Sequence, residues 1–97
     1  MSEYSAVGGL ESFEWSRRDA ARYHAAIEAI EEAIACYTRL RNRAVTSGNA
    51  AESERLQVEQ SVCIAEQQRL RVDDPANVTR VLTDYPPLIA WLRQRIG

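Results

Sequence analysis

The sequence predicts an all-α protein: an antiparallel helical hairpin plus short C-terminal helices, packed as a three- or four-helix bundle. Apolar residues recur at alternating steps of four and three from Tyr23 to Tyr37, the period of one helix face. Ser47-Gly48-Asn49 breaks that pattern with residues that stop one helix and cap the next. Asp74-Pro75 then supplies a further start signal, since aspartate caps a helix and proline suits its first position.

The first helix is predicted over residues 16–46. Ser16 and Asp19 read as a capping box, with Trp15 placed to pack on Ala20 as a hydrophobic staple. Tyr23, Ile27, Ile30, Ile34 and Tyr37 form the seam, widened by Ala26, Ala33, Leu40 and Ala44. Glu28, Glu31, Glu32, Arg39 and Arg43 fall on the opposite side, so this helix covers a core with one face only. Gly48 can adopt the left-handed conformation that closes it. Asn49 and Glu52 form the next capping box, and a turn this short makes the two helices antiparallel neighbours.

The second helix, 50–72, differs in kind. Leu56, Cys63 and Leu70 share one side, whereas Val58, Val62, Ala65 and Val72 share nearly the opposite one. Two apolar sides require two neighbours: the first helix, and either the C-terminal segment or another polypeptide. A third helix is predicted over 75–83, ending before Tyr85-Pro86-Pro87 because a residue preceding proline avoids the helical region. The last, 87–96, places Leu88, Ile89, Leu92 and Ile96 on one side with Trp91 at its flank. The Tyr85-Pro86-Pro87-Leu88 stretch reads as a rigid elbow between the two, or as a short extended docking motif.

Composition bounds the possibilities. Ninety-seven residues make one domain with a modest core. The apolar fraction of 45% and charged fraction of 27% are those of a globular chain, without the long apolar run of a membrane span. All twelve basic residues are arginine, which points to GC-rich coding and a bacterial source. A net charge of -2 gives no general attraction to nucleic acid or an anionic membrane. Residues 1–11 lack the features of a secretory signal, and their Gly8-Gly9 pair suggests a flexible tail ahead of a domain over 12–97. The expectation is therefore a cytoplasmic protein. Cys36 and Cys63 stand nearly level across the hairpin, but with one histidine they do not make a zinc site, and reduced thiols are expected.

No catalytic, cofactor or metal site emerges. Glu28, Glu31 and Glu32 have the helical spacing of carboxylates that hold magnesium in all-helical nucleotide pyrophosphatases, yet they point away from the seam and lack facing carboxylates on the second helix. His24 lacks an evident nucleophile or orienting acid. Arg39, Arg41 and Arg43 do not face one way on a helix; Arg41 projects toward the seam and needs a carboxylate or water as partner.

The run Val78 to Pro86, VTRVLTDYP, resembles the recognition-helix region of bacterial repressors of the lactose-repressor type, where a similar Val-Ser-Arg-Val-Leu run enters the major groove. The resemblance covers about twenty residues and implies DNA binding by 75–96, with Arg80 the lone cation inside the run. This chain departs from that family upstream, where a helix without glycine runs through Gln67, Gln68 and Arg69, and Asp73, Asp74 and Asp84 flank the segment. It also departs from the small secreted two-helix proteins that turn at Trp-x-Gly, since neither tryptophan lies near Ser47-Gly48-Asn49.

The expected function is a non-enzymatic protein-protein interaction module, self-associating or a small adaptor or regulator. Its expected contact residues are Leu56, Cys63, Leu70, Trp91 and Leu92, because exposed aromatic and aliphatic anchors dominate interfaces. The expected partner is another protein or a second copy, with no membrane and no cofactor. A DNA-binding regulator using the C-terminal helix around 75–96 is the alternative.

Overall fold

A computed structural model describes the backbone of residues 2–97 and the side chains of residues 17–97. Among these the chain forms three helices and no strand: α1 (Ser2–Thr46), α2 (Ala50–Arg69) and α3 (Pro75–Ile96). Their packing fits a bundle in which α1 is the shared wall, touching both α2 and α3. No Cα of α2 comes within 8 Å of a Cα of α3, so side chains alone span the gap between these two helices.

The turn after α1 follows the chemistry of its residues. Gly48 adopts φ 73°, and the Asn49 and Gly48 amides donate to the Ala44 and Val45 carbonyls at 2.8 and 3.0 Å. These two bonds satisfy carbonyls that the helix end leaves free, in the Schellman arrangement. The Asn49 side chain then accepts from the Glu52 amide at 3.2 Å, opening α2. Asp74 does the same for the Asn77 amide at 3.2 Å, ahead of Pro75 at the start of α3.

The core is one layer of side chains between α1 and its two neighbours. From α1 it takes Ala26, Ile30, Ala33, Tyr37, Leu40 and Ala44, while Tyr23, Ile27 and Ile34 are half-buried at its edge. The buried stripe thus lies slightly to one side of the expected seam and takes in Cys36, which the expected seam does not include. A helix flanked by two others buries an arc wider than one row of residues. Both cysteines are buried free thiols.

Four expectations about the elements are corrected. α1 is continuous from Ser2 through Ser16, so the capping box there lies inside a helix, and the backbone expected as a tail over 1–11 is helical from Ser2; the Trp15–Ala20 staple lies outside the described side chains. α2 stops at Arg69, where Leu70 turns to extended backbone (φ -68°, ψ 133°), so Val72 lies in the connection. The helices expected over 75–83 and 87–96 are one helix that passes through Pro86 and Pro87. Both prolines face solvent, while Val78, Val81, Tyr85, Ile89 and Leu92 keep an unbroken buried stripe at steps of three and four. Burial of that stripe outweighs the two hydrogen bonds that prolines cannot donate. Finally, among the described residues the second apolar side of α2 is left largely uncovered: Val58 is 65% and Val62 56% exposed.

One polar group sits inside the α1–α2 interface. Gln60, 5% exposed, donates from Nε2 to the Ile34 carbonyl at 2.9 Å and to Thr38 Oγ1 at 2.8 Å, and its Oε1 accepts from Arg41 at 2.6 Å. Arg41 does project toward the seam, but its partner is a neutral amide and not a carboxylate.

Candidate functional site

Leu56, Cys63, Leu70 and Leu92, four of the five expected contact residues, fill the chain's own core, and only Trp91 is at the surface, 46% exposed. The sequence assigned Leu56, Cys63 and Leu70 to a common side, and the structure uses that side intramolecularly. A surface for a partner therefore has to be built from the residues left outside.

Of the exposed apolar residues, Val62 borders the gap between α2 and α3. A groove of about 310 Å³ opens there, floored by Tyr37 of α1 and lined by Glu59, Val62, Cys63 and Glu66 of α2 and by Arg80, Asp84, Tyr85 and Leu88 of α3. Leu88 is half-buried, and Trp91 lies one turn further on the same side of α3. Two side-chain bridges cross between α2 and α3. At one, Glu66 Oε2 accepts from the Tyr85 hydroxyl at 2.9 Å and from Arg80 at 3.2 Å. At the other, Glu52 Oε1 accepts from Arg95 at 2.7 Å, and the Arg95 guanidinium stands 4.7 Å from the centre of the Trp91 ring.

The α2 wall carries Glu52, Glu59 and Glu66 at a strict spacing of seven, which brings them onto one line of the helix. The outer two are held by arginines from α3, as above, and Glu52 also by Arg55 at 2.6 Å. The middle one is not. Glu59 Oε2 is enclosed yet accepts no hydrogen bond, and a buried polar atom without a partner is a costly arrangement. In the sequence this alignment is visible only as the period of seven that joins Glu52 to Glu59 and Glu66.

The site's acid-base groups are set by burial. Tyr37 is pushed up to about 12, first by desolvation and then by the Glu59 charge. Tyr85 is raised further, by desolvation and by its hydrogen bonds with Cys63 and Glu66. Burial also raises Cys63, holding it as a thiol and so withholding the thiolate that nucleophilic attack needs. The groove offers shape, apolar surface and unequal charge, without an activated nucleophile.

The other residues singled out by sequence are dispersed. Glu31 accepts from Gln67 at 3.4 Å, Glu32 pairs with Arg93, and Glu28 is exposed. Among the described residues no group of three or more His, Cys, Asp or Glu side chains could hold a metal ion. His24 is exposed, edge-on to Tyr23. Of the three clustered arginines, Arg39 is exposed, Arg41 meets Gln60, and Arg43 donates to the Arg95 and Ile96 carbonyls at 3.2 and 2.6 Å, capping the end of α3. Arg80, the cation of the repressor-like run, is engaged by Glu66, Asn77 and Asp84. No helix among the described residues is long and apolar enough to cross a membrane. Compared with known proteins, the chain matches no family model, no curated protein and no solved structure.

Proposed function

We propose that the protein is a non-enzymatic interaction module, a small adaptor or regulator, that receives a helix of a partner protein in the groove between α2 and α3. In this reading α1 and α2 form an antiparallel hairpin, α3 returns alongside α1, and the three-helix bundle leaves open the place of a fourth helix. The side-chain ties support that course. Gln60 meets Thr38 and Gln67 meets Glu31, so numbers rise along α2 as they fall along α1; Arg22 meets Thr79 and Arg43 meets Arg95, so α3 runs with α1.

The observation that carries the proposal is Val62, more than half exposed on the rim of a groove whose far wall offers Leu88 and, a turn on, Trp91. Apolar side chains converging on a concave surface, rimmed by charge, mark a contact site more readily than scattered exposed residues do. A helix laid in such a groove is a recurring mode of recognition.

A photo-crosslinking amino acid placed at position 62 of the full chain tests it in cells of the source organism. An adduct of defined mass is expected from position 62 and none from position 39, which is exposed on α1. Equal labelling from both positions, or none from 62, removes the proposal.

A further inference from the structure

Charge along the groove specifies its occupant. The groove contains Glu59, Glu66 and Asp84 against a single cation, Arg80. Arg80 lies 3.2 Å from Glu66 and 3.6 Å from Asp84, so it is already spent on two of the three carboxylates. Glu59 stands midway along α2 between the two bridges, seven residues from Glu52 and seven from Glu66. Arg95 and Arg80 answer those outer positions from α3, but Leu88, which shares the groove with Glu59, has no donor to give. Glu59 is half-buried in this acidic groove: one carboxylate oxygen is enclosed without a hydrogen bond, Arg55 on its own helix acts on it only through space, and the rest of the side chain stays open to a donor from the groove.

Resting on the interaction reading above, we infer that the occupant is a basic amphipathic helix of another protein, whose apolar stripe covers Val62 and Leu88 and whose arginine or lysine donates to Glu59. The α2 wall of the groove runs from Glu59 to Glu66, about 10 Å or two turns of a docked helix. A charge-assisted hydrogen bond in a partly dry site is both strong and selective.

Two other occupants are disfavoured by charge. The chain's own residues 1–16 carry Glu3, Glu11 and Glu14 and no basic residue, so they would bring like charge to the groove. A second copy docked groove to groove about a two-fold axis presents the same patch to itself, setting acidic surface against acidic surface.

The test uses two fluorescein-labelled helical peptides of about 20 residues, identical in a leucine stripe but carrying arginine or glutamate at the flanking heptad positions. Fluorescence anisotropy is read against the full-length protein. The arginine peptide is expected to bind, more weakly as salt rises, and the glutamate peptide to bind at least about tenfold less well. Glu59→Gln, which keeps the side chain's shape, is expected to weaken the arginine peptide about tenfold or more, with the helical circular dichroism unchanged; Glu28→Gln, on exposed α1, leaves binding as it was. Equal affinity for both peptides, an unaltered affinity in Glu59→Gln, or no binding of the arginine peptide each overturns the inference. Should the position-62 adduct still form in any of these cases, the interaction reading stands and only the basic helix is lost.

Discussion

Gln60 is the residue whose replacement tests the packing argument most directly. Substituting leucine keeps roughly the volume but deletes three hydrogen bonds, to the Ile34 carbonyl, Thr38 Oγ1 and Arg41. Two are between neutral groups, about 1 kcal/mol each, and the third involves a guanidinium, about 1.5–3 kcal/mol, giving a loss of about 4 kcal/mol. Burying leucine in place of the amide returns about 2 kcal/mol. The Ile34 carbonyl keeps the Thr38 hydroxyl at 3.2 Å, and Arg41 is only half-buried and can turn to water, so no large further penalty arises. The net expectation is destabilisation by about 2 kcal/mol, or a fall in Tm of about 8–16 °C for a domain of this size. Urea and thermal unfolding followed by circular dichroism measure it. A double-mutant cycle with Arg41→Met isolates the charged bond, with an expected coupling of about 1–2 kcal/mol. If Gln60→Leu proves as stable as the parent chain, the amide is a passenger in the interface and the reasoning fails.

Replacing Gly48 by alanine meets no atom within 4 Å but forces a side chain to adopt φ 73°, so a loss of about 1 kcal/mol is expected; an unchanged melting curve would show that the turn tolerates another geometry. Converting Pro86 and Pro87 together to alanine restores two helical amides on the solvent side of α3 and is expected to raise Tm, with the gain limited by a looser unfolded chain; a lower Tm would mean that the prolines stiffen the helix. The raised values of Tyr37 and Tyr85 make the folded state hold its protons longer than the unfolded chain. Their contribution is complete below pH about 10 and is lost as pH climbs toward 12 and beyond, by up to about 1.4 kcal/mol per pH unit for each. Denaturation midpoints measured from pH 9 to 12 in the parent and Tyr37→Phe, with the variant falling less steeply, check this; parallel curves refute it.

The elements were legible where a local chemical signal decided them. Asn49 and Asp74 cap α2 and α3 as their residue types suggested, and Gly48 takes the left-handed turn. The signals that misled were also local, but tertiary packing overruled them. Pro86 and Pro87 would end an isolated helix, yet Tyr85, Ile89 and Leu92 gain more from staying in register against the core. Leu56, Cys63 and Leu70 look like an interface in the sequence and are core in the structure, because a single sequence does not say whether an apolar stripe meets its own chain or another. The groove was the least legible feature: it depends on how far apart α2 and α3 stand on α1, a distance no residue pattern encodes. Only the period of Glu52, Glu59 and Glu66 pointed toward it.

That separation also shapes how the molecule comes apart. Since α2 and α3 each lean on α1 but reach one another only through side chains, lifting either away breaks no backbone contact with the other. Amide exchange should therefore be slowest on the central stretch of α1, where both flanking helices hold it in place.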